Sequence, residues 1–329
     1  MNLDLPLVTI IMPIRNEESF IVQSLGAVLA QDYPSNKMEI LVADGMSDDA
    51  TLDIIRSMPQ ANRVRIFPNP RRIQSAGLNA AIQHAHGKFI IRVDGHTIIM
   101  PDYVRRCVEL LQSTGAQNVG GPMDPIGLTP TGIAIAVAGK SRFAVPTAFH
   151  VSQQAQYTDT VYMGAWPREV FEQIGGFDEH FGVNEDYELN YRTRKVGGEI
   201  YFSPEIHSVY YGRQTFRALA RQYFRYGRSK VMTLRKHPNS LRSRQLVAPI
   251  FVAGLIVGLL GALIFGWLLY QWLVGVVAYL LINVFVSIKL AAQHGWTTLI
   301  RLPLVFTIIH IAWGLGFWVG LIFPSSKSQ

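Results

Sequence analysis

A single cysteine, Cys107, stands in the 329-residue sequence, which excludes an intrachain disulfide. That usage fits a reducing compartment. Cys107 shares an apolar helical pattern with Val104, Val108 and Leu111 and reads as core packing rather than a reactive thiol. Charge is also scarce, at 16% of residues against 49% hydrophobic, a departure towards membrane protein. Acid is missing altogether after residue 205. The first 205 residues hold all 23 Asp and Glu beside 17 Lys and Arg, whereas residues 206–329 carry 13 Lys and Arg and no acid. A basic tail of this kind suits nucleic acid, anionic lipid or a phosphorylated ligand. The long apolar stretches in the same half favour lipid, and no nucleic acid is expected. The opening residues lack a basic segment ahead of an apolar run, so no secretory signal is expected and the front half is expected to remain cytosolic. There is no internal repeat, no low-complexity tract and no G-x-x-x-x-G-K triphosphate loop.

What the first half does contain is an alternation. Short apolar runs at 7–12, 39–43, 64–67 and 89–93 alternate with helical spacing at 18–30, 51–58 and 73–85. Strands alternating with helices predict an α/β fold, a mostly parallel sheet flanked by helices. Ligands bind such sheets beyond the carboxyl ends of the strands. Asn16 and Glu17, Asp44, and Asp94 fall at those ends. Residues 115–212 are less regular, with turns at Gly120-Gly121-Pro122 and Gly175-Gly176 and a helix over 185–195 stopped by Gly197-Gly198. The apolar run 133–138 is too short to cross a bilayer.

From Arg213 the character changes. Arg217, Arg221, Arg225 and Arg228 share one helical face, with Phe216, Leu219, Tyr223, Tyr226 and Leu234 beside them. This reads as a helix in a membrane interface, or as a solvated charged helix. Three apolar stretches follow, 246–270, 272–288 and 302–323, each long enough to cross. Arg235, Lys236, Arg242 and Arg244 precede the first and mark that side as cytosolic. The turn near Gln271 is uncharged, Lys289 and Arg301 flank the next loop, and Lys327 lies beyond the third stretch. Three spans with the tail outside satisfy this pattern. Asn283 and His310, inside the spans, read as helix-packing residues. The chain thus divides into a domain at 1–212, a basic amphipathic region at 213–245 and membrane helices at 246–329.

Four clusters carry chemistry. The first, 42–51, follows a strand and opens a helix. Helix capping accounts for Ser47, Asp48 or Asp49, but Asp44 sits at the strand end, where a carboxylate can accept hydrogen bonds from a nucleobase or ribose. Pro13, Arg15, Asn16 and Glu17 end the neighbouring strand. The second is Arg92-Val93-Asp94-Gly95-His96. Asp94 and His96 can point at one divalent cation, Mn²⁺ or Mg²⁺, which a diphosphate leaving group requires. The third is Asn184-Glu185-Asp186-Tyr187-Glu188, in which Asp186 is the choice for a base that takes a proton from an attacking hydroxyl. Acidic residues at a helix N-terminus are the plainer alternative. The fourth is Gln222-Tyr223-Phe224-Arg225-Tyr226, where an Arg and an aromatic can meet an acceptor sugar and a diphosphate.

In this order the motifs resemble glycosyltransferase family 2, of the GT-A fold. They run P-x-R-N-E, a strand-end Asp, Gln74-Ser75-Ala76-Gly77-Leu78-Asn79, the D-x-D-like site, G-G-F-D-E, E-D, and Q-x-x-R-[WY], and they cover about the first 235 residues. The pairing of V-A-D-G-M-S-D with V-D-G-H is similar to bacterial exopolysaccharide enzymes of the succinoglycan type. The resemblance implies a GT-A nucleotide-sugar-binding domain followed by transmembrane helices. Pro13, Arg15, Asn16, Glu17, Asp44, Gln74, Asn79, Arg92 and Asp94 would bind the donor. Asp94 and His96 would hold the cation, and Asp186 would be the base. Glu185, Gln222, Arg225 and Tyr226 would serve the acceptor and diphosphate. The implied activity is inverting transfer from a nucleotide-sugar, uridine by family habit, to a lipid-linked or oligosaccharide acceptor. It would take place at the cytosolic face of the cell membrane, with membrane lipids as partners. A non-catalytic membrane scaffold retaining the fold is the alternative, and a nucleotidyltransferase is disfavoured by the membrane stretches. His96 replaces the usual second metal Asp. Tyr210 stands where some relatives place a metal-binding His, which leaves His207, three residues earlier, as an open candidate. Tyr226 stands where processive synthases have Trp, in keeping with transfer of single sugars.

Overall fold

The computed structural model describes residues 5–144 and 147–323. Lys327 and the first four residues therefore lie outside the described residues. The chain forms two compact units, Met1–Asp124 with Thr147–Tyr211, and Pro125–Pro146 with Gly212–Gln329.

The first unit begins β1 (Val8–Ile14), α1 (Ile21–Leu29), β2 (Met38–Asp44), α2 (Thr51–Ser57), β3 (Val64–Pro68), α3 (Gln74–Gln83) and β4 (Phe89–Arg92). It continues with β5 (Thr97–Ile99), α4 (Tyr103–Thr114) and β6 (Asn118–Gly120). After β7 (Met123–Ile126) the chain leaves for α5 (Pro130–Gly139). It returns as α6 (Ala148–Val151), β8 (Gln156–Tyr157), β9 (Ala165–Pro167), α7 (Arg168–Ile174), α8 (Glu185–Lys195), β10 (Ile200–Phe202) and β11 (Ser208–Tyr211). Eight strands make one sheet in the order β3-β2-β1-β4-β9-β6-β10-β8. The β3-β2-β1-β4 half is parallel throughout. The other half is mixed, because β9 runs antiparallel to both β4 and β6. The run Val-Thr-Ile-Ile-Met-Pro-Ile of β1 is buried at every position, as a central parallel strand with helices on both faces must be. Met12, Ile10 and Val8 face one core with Leu25, Val28 and Ile40, and Ile11 faces the other with Leu78, Ile90 and Trp166. Cys107 is fully buried in the first of these cores, and burial pushes its thiol well above the ordinary range. It is a packing residue.

The second unit holds α5, α9 (Phe216–Lys236), α10 (Val247–Ile264), α11 (Trp267–His294) and α12 (Leu302–Ile322). By length and composition Ser243–Ile264, Trp267–His294 and Leu302–Ile322 are each able to cross a membrane. The break between the first two falls at Phe265–Gly266, and Gln271 lies inside α11, not at the turn expected there. Nothing in Leu-Leu-Tyr-Gln-Trp stops a helix, whereas Gly266 weakens one. The run 133–138 is a helix whose Ala134, Ile135, Val137 and Ala138 bury against Leu219, Leu302 and Val305, so residues 125–146 cluster with the C-terminal unit rather than with the rest of 1–212.

Candidate active site

Parallel pairing of β1 with β2 sets Ile14 opposite Asp44, so the two following loops leave the sheet side by side. Their backbones are held together by side chains. Asn16 takes a left-handed conformation at φ 55°, which Asn tolerates better than most residues. Its amide Nδ2 donates to Asp48 Oδ1 at 2.7 Å, and its Oδ1 accepts from Asp48 N at 3.0 Å. Asn16 N donates to Ser47 Oγ and Glu17 N to Thr51 Oγ1. Asp44 is buried and closes its own turn, accepting from Ser47 Oγ at 2.5 Å and from Ser47 N. Pro13, Arg15, Asn16, Glu17 and Asp44 are thus brought together at adjoining strand ends. Pro13 is buried in the strand, and Arg15 and Asn16 are exposed.

One strand further, Arg92 ends β4 and is 4% exposed. Its Nε donates to Asp94 Oδ1 at 2.7 Å, its Nη2 to Asp94 Oδ2 at 3.2 Å, and its Nη1 to Glu185 Oε1 at 2.9 Å. Gln74 Nε2, at the start of α3, donates to Asp94 Oδ1 at 3.2 Å. Asp94 and Glu185 are themselves almost fully buried, so the guanidinium is the group that makes two interior carboxylates tolerable. Burial alone would lower its pKa, but Asp94 and Glu185 outweigh burial and hold it above its ordinary value.

Helix α8 starts at Glu185, preceded by Asn184 in the left-handed conformation, and sets Glu185, Asp186 and Glu188 in its first turn. Asp186 is half-buried and accepts from Tyr187 N at 2.7 Å. Desolvation, and then the charge of Glu185, push its carboxyl up from 3.8 to about 7, while Arg92 pulls the other way. A carboxyl titrating near neutrality is suited to taking a proton from a hydroxyl.

His96 lies in the turn between β4 and β5. Its Nδ1 sits 2.9 Å from Glu17 Oε1, and against a carboxylate it must be the donor. Gly95 lets that turn approach, because a Cβ there would come within 2.8 Å of Glu17 Cγ. Among the described residues no three His, Cys, Asp or Glu side chains converge on one point. A Mg²⁺ or Mn²⁺ ion that shares a substrate diphosphate needs only one or two protein ligands. A ring that donates Nδ1–H to a carboxylate keeps its lone pair on Nε2, the arrangement second-sphere carboxylates enforce on metal-binding histidines. The donor chemistry of Asp94 and His96 therefore fits a divalent cation. His207 pairs with Asp124 through Nε2, and the ring of Tyr210 lies 5.9 Å from that of His96.

Asn79 holds the turn at Phe177–Glu179. Its Nδ2 donates to Phe177 O and Glu179 Oε1, both at 2.8 Å, and its Oδ1 accepts from Phe177 N at 2.7 Å. A Cβ at Gly176 would meet Asn79 Oδ1 at 2.3 Å, so this glycine makes the bracket possible. Arg192 grips the same turn from α8, donating to Ile174 O and Gly176 O at 2.6 Å while paired with the fully buried Glu188. Glu188 and Arg192 stand i, i+4 on α8, the spacing at which an ion pair forms along one helical face. Gln222, Arg225 and Tyr226 lie on α9 in the other unit, where Gln222 Nε2 donates to Tyr226 OH at 2.8 Å and Arg225 is exposed.

Known proteins bear on these features in three ways. Residues 9–175 match the profile of Glycosyl transferase family 2. The succinoglycan biosynthesis protein ExoA of Rhizobium meliloti is 32% identical over 324 residues, covering 95% of this chain and 94% of that one. The dolichyl N-acetyl-alpha-D-glucosaminyl phosphate 3-beta-D-2,3-diacetamido-2,3-dideoxy-beta-D-glucuronosyltransferase of Methanococcus voltae is 27% identical over 324 residues, with 96% and 97% covered. Among solved structures, the mannosyltransferase PcManGT of Pyrobaculum calidifontis, in complex with GDP-Man and Mn²⁺, superposes with a TM-score of 0.58 at 18% identity. That superposition covers 92% of this chain and 86% of that one and shows the shared GT-A fold. With a profile match over half its length and a relative aligned nearly end to end, the chain belongs to glycosyltransferase family 2.

Proposed function

We propose that the protein is an inverting, divalent-cation-dependent glycosyltransferase. It moves one sugar from a nucleotide donor, a UDP-sugar in the first instance, to a lipid-linked or oligosaccharide acceptor at the cytosolic face of the cell membrane. The observation that carries this reading is Asp186, a carboxyl tuned to about 7 at the start of α8 and joined through its neighbour Glu185 and Arg92 to Asp94. The acceptor hydroxyl gives its proton to Asp186 as its oxygen bonds the anomeric carbon. The bond from that carbon to the diphosphate breaks, and nucleoside diphosphate leaves. Glu185 and Arg92 keep Asp186 and Asp94 in a fixed relation, so base and donor loop do not drift apart during attack. The loops after β1 and β2, carrying Arg15, Asn16, Glu17 and Asp44, receive the nucleotide. Asp94 and His96 would hold the cation, which when bound offsets charge on the departing diphosphate.

Exopolysaccharide or cell-surface glycan assembly is the setting supported by the succinoglycan relative, and a lipid-linked acceptor by the dolichyl-phosphate relative. Residues 1–212, apart from the 125–146 excursion that clusters with the C-terminal unit, form the catalytic domain, 213–245 a basic helix region at the membrane surface, and the helices after 246 the membrane anchor. The test offers UDP-, GDP- and dTDP-sugars with Mn²⁺ and a bacterial lipid extract to the protein in native-like membranes. Release of nucleoside diphosphate with one donor, abolished by chelator, and a product of opposite anomeric configuration is the expected result. Retention of configuration, or release insensitive to chelator, would overturn the corresponding part of the reading.

A further inference from the structure

The three apolar helices of the C-terminal unit are alike in length and hydropathy but not in their surroundings. α10 buries Pro249, Val252 and Ala262, and α11 buries Asn283, Ser287 and Ala291. Leu260, Leu263, Ile264, Trp267 and Val274, towards the turn that joins them, are exposed, as lipid-facing residues must be. α12 instead buries nine of its residues within the unit.

Its chief neighbour is α9, the helix that carries Arg217, Arg221, Arg225 and Arg228. The two run in the same direction and touch along their whole lengths. Leu219, near the start of α9, shares one hydrophobic core with Leu302, Val305 and Phe306 near the start of α12. A Cβ at Gly316 would lie 2.1 Å from Phe224 O, and one at Gly227 would lie 2.1 Å from Trp313 O, so glycines set the backbones in contact. At their ends Arg235 Nη2 donates to Gly320 O at 2.9 Å and to Leu321 O at 3.0 Å. A guanidinium therefore caps the last carbonyls of α12.

Depth in a membrane follows from that pairing. If α12 crossed the hydrocarbon, α9 would cross beside it and carry its arginines through, and Arg is among the residues most costly to place there. The last turn of α12 also lies against Arg235, on the basic segment that runs through Arg242 and Arg244 into α10. α12 meets α10 at that same end. Trp318 Nε1 donates to Pro249 O at 2.9 Å, and Gly314 abuts Ala248 and Val252. It meets α11 between Tyr279 and Ala291, the half that ends at Lys289 and His294. Both ends of α12 are thus held on the side where α10 begins. The far turn at Gly266 is about 27 Å along α10, close to the thickness of a bilayer core.

We propose that only α10 and α11 cross the bilayer. α9 and α12 lie together as a two-helix raft in its interface on the entry side, with the acid-free basic face of α9 among anionic headgroups. The chain after α12 then emerges on the same side as Arg213–Arg244, and the expected three crossings with the tail outside become two with the tail inside.

The test is labelling with a membrane-impermeant maleimide in intact spheroplasts and in inverted vesicles. The native Cys107 is buried and gives the blank. Gly266→Cys, where a Cβ meets nothing within 4 Å, reports the far turn, and Ser326→Cys reports the tail. Gly266→Cys should label in spheroplasts and Ser326→Cys only in inverted vesicles. Labelling of both in spheroplasts would overturn the proposal. Should a cysteine variant fail to accumulate, the unaltered chain carrying GFP or alkaline phosphatase after Gln329 decides the matter. Fluorescent GFP with silent phosphatase supports two crossings, and active phosphatase with dark GFP refutes them.

Discussion

Arg92 Nη1 lies 2.9 Å from Glu185 Oε1, which ties the last residue of a central strand to the first residue of the helix that bears Asp186. The same guanidinium holds both oxygens of Asp94. Arg92→Met should therefore leave two buried carboxylates unpaired and cost about 3–5 kcal/mol of stability. It should also raise the Asp186 pKa further, because Arg92 favours its ionised form. Denaturant unfolding checks the first effect. A shift of the acid limb of the pH–rate profile to higher pH checks the second.

Activity should follow the ionisation of Asp186. The base is competent only when deprotonated, so turnover should rise as pH passes about 7 and level off above. Stability should run the opposite way. The folded protein keeps a proton on Asp186 between pH 3.8 and about 7 that the unfolded chain has lost, so this contribution is full below that window and lost as pH rises through it. Unfolding midpoints of wild type and Asp186→Asn, compared from pH 4 to 8, should diverge, with the Asn variant the more stable at the alkaline end. Parallel curves would contradict the assignment.

Asn79→Ala should behave as a structural lesion. It removes the three hydrogen bonds that bracket Phe177 and Glu179. The expected loss is about 1–3 kcal/mol, with UDP affinity unchanged by calorimetry. Weakened UDP binding at unchanged stability would instead support a donor-binding role for Asn79.

Glu17→Ala should act through His96. Without its carboxylate partner the ring loses a fixed orientation, and the Mn²⁺ concentration for half-maximal activity should rise on the order of 10- to 100-fold. An unchanged requirement would place His96 outside the cation site.

The strand-end positions of Asn16, Asp44 and Asp94 were legible because parallel strands separated by helices leave their carboxyl ends on one edge, and period and turn chemistry are local signals. The bracket that Asn79 forms was not legible, for the opposite reason. Its partners are about a hundred residues away, and only the close approach at Gly176 reveals them. The Arg92 bridge was half visible. The sequence set Arg92 beside Asp94, but the reach to Glu185 depends on where α8 enters. Hydropathy likewise found three apolar stretches and could not show that α9 lies along one of them, because burial against a neighbour leaves no mark on composition.

The most direct test of the central claim compares nucleoside diphosphate release by wild type and Asp186→Asn, with the preferred donor, Mn²⁺ and a lipid-linked acceptor. Nucleotide binding is measured in parallel. Release should fall by at least about 10²-fold in the variant while donor affinity is retained. Equal release by the two proteins would contradict it and remove Asp186 from the chemistry.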